Sequence, residues 1–92
     1  MHVPVLLKET IEGLDPKPNF NYIDCTLGEG GHSLEILKKI IPSGKLLGID
    51  FDQRNIDFSR NKFIENGIKE ENFTFANDNF KNLEKIAKEK KF

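Results

Sequence analysis

The chain has no tryptophan, one methionine, one tyrosine and one cysteine among its 92 residues. A lone Cys25 closes no internal disulfide and lacks the Cys-x-x-Cys partner of a structural zinc site, so the residues point to a metal-free protein of the reducing cytoplasm. Long apolar runs are also missing. The longest, Val5 to Leu7 and Ile40 to Pro42, fall far below the ~20 residues a bilayer demands, and no stretch has the layout of a signal peptide, which excludes a membrane partner at this level of reading. Neither sign of charge is in excess. Fourteen Lys and Arg against 15 Asp and Glu leave a net charge of -1, which is not the footprint of a stand-alone nucleic-acid binder. Repeats, low-complexity tracts and linkers are absent, so the chain has the size of one small domain, burying only about 60% of the surface its unfolded form exposes.

What is present is an alternation of helix and strand signals. Val5, Leu6, Ile11 and Leu14 place an apolar stripe on a short helix that Pro4 can open, proline being harmless where a first-turn N–H goes unused. Asp15-Pro16-Lys17-Pro18-Asn19 is a stiff turn. Phe20 to Cys25 predicts a strand, and Leu34, Leu37 and Ile41, with Ile36 and Ile40 beside them, predict a helix stopped by Pro42 and Gly44. Lys45 to Asp50 is apolar on both faces, as an interior parallel strand should be. Gln53 to Asn66 predicts a helix with Ile56, Phe63 and Ile64 inward and Gly67 as its stop. Phe73 to Ala76 predicts a third strand, and Phe80, Leu83, Ile86 and Ala87 stripe a last helix. In its tail Lys85, Lys88, Lys90 and Lys91 lie with Glu84 and Glu89 on a solvated side. The order implies right-handed crossovers and three parallel strands with flanking helices, the first half of a doubly wound nucleotide-binding α/β fold. In such a sheet, ordered 3-2-1-4-5-6, Phe20 to Cys25 is central and here lacks one partner. Its unpaired edge calls either for a homodimer or for capping by the N-terminal helix.

Ligands bind beyond the carboxyl ends of such strands, so the three strand-to-helix turns are candidate sites: Thr26 to His32, Asp50 to Asp52 and Asn77 to Phe80. The first is glycine-rich, which lets a backbone turn sharply and a ligand approach closely; a side chain at Gly30 would fill that space. It also opens onto a helix N-terminus. Asp50 follows Gly30 by twenty positions, close to the ~20-residue offset of an acid that meets ribose hydroxyls. A carboxylate only accepts and a ribose diol offers two donors. A solvent-facing acid in a tight turn is the plainer reading, and Asp52, where an N-cap belongs, fits it better. Gly28-Glu29-Gly30-Gly31-His32-Ser33 ends in Ser33, not in the Gly or Ala of a dinucleotide fingerprint, and Glu29 would oppose a pyrophosphate. A ligand carrying adenosine, no phosphate and a cationic sulfonium suits Asp24, Glu29, Asp50 and Asp78 if these point inward.

Three stretches together resemble a known family: His2-Val3-Pro4-Val5-Leu6-Leu7-Lys8-Glu9, Tyr22-Ile23-Asp24-Cys25-Thr26-Leu27-Gly28-Glu29-Gly30-Gly31-His32-Ser33, and Gly48-Ile49-Asp50-Phe51-Asp52. In register over essentially the whole chain, they look like the N-terminal part of the ribosomal RNA small-subunit methyltransferase H family, also called MraW. The resemblance implies a Rossmann-like class I fold and S-adenosylmethionine-dependent methylation of a cytidine N4 in bacterial 16S ribosomal RNA. It implies cofactor contacts at Gly30, Gly31 and His32 in the loop, Asp50 at the ribose and Phe80 beside the adenine. The plainer alternatives are a first-turn histidine for His32, a core side chain for Phe80, and a small buried side chain for Cys25. Family members are considerably longer, continuing into a fourth strand and an inserted helical region. Residues 1–92 are therefore expected to be a single partial domain, the cofactor half, with the small ribosomal subunit met through the other half and no catalytic base among these residues. The competing readings are half of a nicotinamide oxidoreductase and a non-enzymatic interaction module.

Overall fold

The computed structural model describes residues 3–6, 14–25 and 27–92. Its elements are β1 (Val5–Leu6), β2 (Tyr22–Asp24), α1 (Gly31–Ile40), β3 (Leu46–Asp50), α2 (Gln53–Glu65), β4 (Phe73–Asn77) and α3 (Leu83–Glu89), with single 3-10 turns before β4 and α3. The four strands form one parallel sheet in the order β1-β2-β3-β4. Leu46 pairs with Tyr22 on one side and Phe73 on the other, and Asp50 with Asn77. The strand starts therefore gather at one pole, and the turns that carry Asp50 and Asn77 at the other.

Two apolar layers enclose the sheet. Tyr22, Leu46, Phe73 and Phe75 face Leu37 and Ile40 of α1 and Ile56 and Phe63 of α2. On the opposite face Ile23, Leu47, Ile49 and Ala76 meet Ile86 of α3. Strands β2, β3 and β4 thus contribute side chains to both layers by alternation, as the pleat dictates, and both faces of the sheet are covered. Phe63 anchors the thicker layer, edge-on to Phe73 at 5.1 Å and stacked on Phe75 at 5.8 Å. The α/β class and the three strands foreseen from the sequence are present, within one or two residues at each end.

Three expectations are corrected. Val5 and Leu6 open no helix: they form β1, with Pro4 O accepting from Ile23 N at 2.9 Å and Leu6 O from Cys25 N at 3.1 Å. The rest of the foreseen N-terminal helix lies at residues 7–13, outside the described residues. The edge of β2 on which the homodimer expectation rested is thereby paired within the chain, because extended Val-Pro-Val-Leu offers its carbonyls where a helix would consume them internally. Ile64 is 46% exposed; the inward line of α2 runs Ile56, Ser59, Phe63, and position 64 lies about 100° from 63 around the helix. Ile41 is likewise the exposed C-cap of α1 rather than part of its stripe. Among the described residues no helix is long and apolar enough to cross a membrane.

Candidate functional site

At the carboxyl pole of the sheet the turn after β2 begins with Leu27, whose buried side chain lies over Gly48 in the middle of β3. A Cβ at Gly48 would meet Leu27 Cδ1 at 2.9 Å. Gly28 and Gly30 both hold positive φ, 49° and 83°, the left-handed region that costs other residues about 1–2 kcal/mol. Gly30 then caps α1, its carbonyl accepting from Leu34 N at 2.9 Å. Ser33 is fully buried and donates through Oγ to Asp24 Oδ2 at 2.5 Å. The position that ends a dinucleotide fingerprint in glycine thus carries a hydroxyl for a buried carboxylate, which is why it is serine.

Asp50 ties this loop to the next turn. Its Oδ2 accepts from Gly28 N at 3.2 Å and from Asn55 Nδ2 at 3.1 Å, and its Oδ1 from Asp52 N at 2.8 Å. Three of the roughly four acceptor positions of a carboxylate are filled from inside the chain, leaving room for one added donor while Asn55 stays in place. From α2, Ser59 Oγ donates to Gly28 O at 3.3 Å. The glycine loop is therefore held through its N–H by Asp50 and through its carbonyl by Ser59. Asp52 caps α2 as its position suggests, accepting from Arg54 N at 2.9 Å and pairing with the Arg54 guanidinium at 3.0 Å. These two bonds hold its carboxyl below the usual carboxylate range, the side-chain bond most of all.

The turn after β4 closes the pole. Asp78 N and Asn77 Nδ2 both donate to Asp50 O at 3.2 Å. Asp78 Oδ1 accepts from Asn82 Nδ2 and Asn79 N, and these two bonds, in that order, lower its pKa from the ordinary value. Between the second and third turns lies an open cavity of about 210 Å3, lined by Cys25, Ile49, Asp50, Phe51, Asp78 and Phe80. Phe51 and Phe80 are 79% and 56% exposed, so Phe80 is no core residue; it lies in the 3-10 turn ahead of α3. Cys25 is half-buried, and burial first, then the Asp24 carboxylate, push its thiol up from the ordinary value.

Of the expected site residues, Asp50 and Phe80 meet in this cavity; Gly28, which was not among them, is tied to it through Asp50. Gly31 begins α1 with nothing within 4 Å of where a Cβ would sit, so the loop is open to an approaching group there. Gly30 is not: an added Cβ would meet Ser59 Oγ at 2.7 Å and Phe63 Cε1 at 3.3 Å. Its lack of a side chain serves packing against α2, whereas the sequence reading gave that space to a ligand. His32 lies elsewhere, exposed beside a depression of about 130 Å3 with Leu14, Pro16 and Glu35. Of the four carboxylates suited to a sulfonium, only Asp50 and Asp78 line the cavity; Asp24 is buried and Glu29 exposed on the loop. Phe51, Asn55 and Ser59 were not singled out from the sequence. Phe51 beside Asp50 was legible as an aromatic in a strand-end turn, while Asn55 and Ser59 acquire meaning only when α2 folds back over the loop.

Residues 1–92 match the family described as the MraW methylase family. Among curated proteins, the chain is 51% identical over 85 residues to the ribosomal RNA small subunit methyltransferase H of Ureaplasma urealyticum serovar 10, covering 92% of this chain and 26% of that protein. It is 45% identical over 87 residues to the protein of that name from Christiangramia forsetii, covering 95% and 26%. The chain thus spans about a quarter of the length of these relatives. Among solved structures, an rRNA methylase from Streptococcus thermophilus shares the fold at a TM-score of 0.63 and 19% identity, over 83% of this chain and 42% of that one. A proposed rRNA methylase from Clostridium thermocellum does so at 0.71 and 20%, over 76% and 37%.

Proposed function

The chain belongs to the MraW methylase family, and from that premise we propose that residues 1–92 are the methyl-donor-binding part of an rRNA methyltransferase that uses S-adenosylmethionine. The observation that supports this most directly is the cavity at the carboxyl pole, where two exposed aromatics, Phe51 and Phe80, stand beside the carboxylates Asp50 and Asp78. The donor set fits the cofactor: aromatic faces take an adenine by stacking, and carboxylates accept from ribose hydroxyls and attract a cationic sulfonium while offering nothing to a phosphate. Bound there, S-adenosylmethionine supplies an electrophilic methyl group to an attacking amine.

The residues of this chain bind and orient. Asp50 accepts one ribose hydroxyl through its remaining lone pair while its other bonds keep Gly28 and the α2 N-terminus fixed. Phe80 packs against the adenine, Asp78 receives a donor from its edge, and the open side of Gly31 admits the methionine moiety. Gly30 acts through the loop it shapes, and His32, exposed beside Leu14 and Pro16, takes no part in the cavity. The acceptor is the N4 of a cytidine in bacterial 16S ribosomal RNA, held by parts of the longer relatives that these 92 residues do not include. Displacement of this kind rests on alignment, since near-attack positioning removes much of the barrier. The chain accordingly supplies the cofactor-binding part of a larger catalytic unit, and in isolation it does not turn over.

Calorimetric titration with S-adenosylmethionine and, in parallel, NAD tests the reading. Saturable heat with the former alone is expected, and Asp50→Ala and Phe80→Ala each weaken it, the former by ~1.5–3 kcal/mol as for a charge-assisted hydrogen bond. Gly31→Ala weakens binding with an unchanged melting temperature. Binding of NAD in its place returns the nicotinamide alternative, and no heat with either ligand returns the interaction module.

A further inference from the structure

Asn55 stands in the first turn of α2, and its side chain bonds away from that helix. Gln53 Nε2 donates to Asp57 Oδ1 one turn on, and the Arg54 guanidinium donates to the cap residue Asp52, whereas Asn55 Nδ2 donates back to Asp50 Oδ2, at the end of β3, at 3.1 Å. The third residue of a helix often serves the cap by accepting from the cap residue's own N–H. Here that N–H, of Asp52, is already taken by Asp50 Oδ1 at 2.8 Å, so capping does not account for Asn55. Among the described residues no cation pairs with Asp50. Its carboxylate is held by three N–H donors instead.

Those donors make the two oxygens of Asp50 unequal. Each carboxylate oxygen offers about two acceptor positions. Oδ2 uses both, for Gly28 N at 3.2 Å and for Asn55 Nδ2, while Oδ1 uses one, for Asp52 N. A carboxylate with both oxygens open takes both hydroxyls of a ribose; here only Oδ1 keeps an open position. We propose that Asn55 is a positioning residue that sets how Asp50 reads a ribose: by filling Oδ2 it confines the carboxylate to a single hydroxyl and fixes the open lone pair of Oδ1 for it. The proposal rests on the adenosyl ligand proposed above. An amide suits this task because it donates without charge. A carboxylate at position 55 would confront Asp50, and a methyl group would leave Oδ2 partly open. No neighbouring titratable group takes its place: Asp52 is turned to Arg54, Asp24 is buried against Ser33, Glu29 is exposed on the glycine loop, and Cys25 and Asp78 line the cavity without donating to Oδ2.

Calorimetric titration of the chain with S-adenosylhomocysteine and with its 2′-deoxy and 3′-deoxy forms tests this. In the parent, one deoxy form binds about as well as the ribose compound and the other roughly 10- to 100-fold more weakly, the scale of one charge-assisted hydrogen bond. Asn55→Ala opens a second position on Asp50, so the form that the parent tolerates now falls behind the ribose compound by roughly 5-fold or more. Asn55→Asp gives an independent readout. A carboxylate in the first turn favours a helix, so a purely structural role leaves both melting and binding unchanged. Positioning instead lowers the ratio of variant to parent affinity at about pH 7.5 and restores it towards about pH 5, where two contacting carboxyls share a proton and the protonated one donates as the amide did. Circular dichroism confirms folding of both variants. No heat from S-adenosylhomocysteine in the parent fails the proposed function, and this inference with it. With heat in the parent, three results overturn the inference and leave adenosyl binding standing: loss from both deoxy forms or from neither, an unchanged deoxy preference in Asn55→Ala, or a pH-independent affinity ratio in Asn55→Asp.

Discussion

Gly30→Ala separates a packing glycine from a ligand-facing one, and its cost can be worked from the geometry. Gly30 holds φ at 83°, where an alanine is disfavoured by about 1–2 kcal/mol. Its Cβ would stand 2.7 Å from Ser59 Oγ and 2.9 Å from Ser59 Cβ. Ser59 lies on the backbone of α2 with its side chain fully buried, so it cannot swing away, and overpacking of this kind costs about 1–3 kcal/mol. Together these give a loss of about 2–5 kcal/mol, against a total stability of about 5–14 kcal/mol for a chain of this size. At roughly 4–8 °C per kcal/mol, the melting temperature falls by at least about 8 °C. Gly31→Ala, one position on and meeting no atom within 4 Å, stays within about 0.5 kcal/mol of the parent. Urea unfolding followed by far-ultraviolet circular dichroism is the assay, the chain having no tryptophan to report by fluorescence. Adding Ser59→Gly to Gly30→Ala restores the steric part and not the dihedral part, a coupling that a double-mutant cycle isolates. Equal stability of the two alanine variants refutes the reasoning.

Two further outcomes follow from the same contacts. Asn72 is buried and its Nδ2 donates to Pro42 O at 2.7 Å and Gly44 O at 2.9 Å, so Asn72→Ala, which leaves both carbonyls short of a donor, lowers stability by about 1–3 kcal/mol in urea; an unchanged midpoint removes that tie between the 3-10 turn ahead of β4 and the turn before β3. Asp52 and Asp78 have folded pKa values below the ordinary 3.8, so the stability they contribute is complete above that value and is lost as pH falls through the lower folded one. Melting temperatures measured from pH 6 down to pH 2 therefore drop less steeply in Asp52→Asn with Asp78→Asn than in the parent, and a parallel fall shows that these carboxylates do not carry the acid sensitivity.

The sequence by itself determined what depends on near neighbours. Tyr22–Asp24, Leu46–Asp50 and Phe73–Asn77 are strands because short apolar runs rich in branched and aromatic residues end in turn residues. Asp52 and Gly67 bound α2 because an N-cap acceptor and a left-handed stop act within a few positions. The alternation of these elements fixed the α/β class, and the glycine loop followed at a set interval by Asp50 marked the turns that form the candidate site.

Tertiary structure decided whatever depends on distant partners. Val5–Leu6 is too short for any periodicity, and becomes a strand only because β2 offers an edge to pair with. Ser59 outranks Ile64 as an inward residue of α2 because the surface it faces is the glycine loop, where a small hydroxyl fits and a branched side chain does not. His32 parts from Asp50 and Phe80 because the direction in which α1 leaves the loop turns it toward Leu14 and Pro16. Local pattern sets each segment's form; which side chains of different segments meet is fixed by the packing of the two layers onto the sheet.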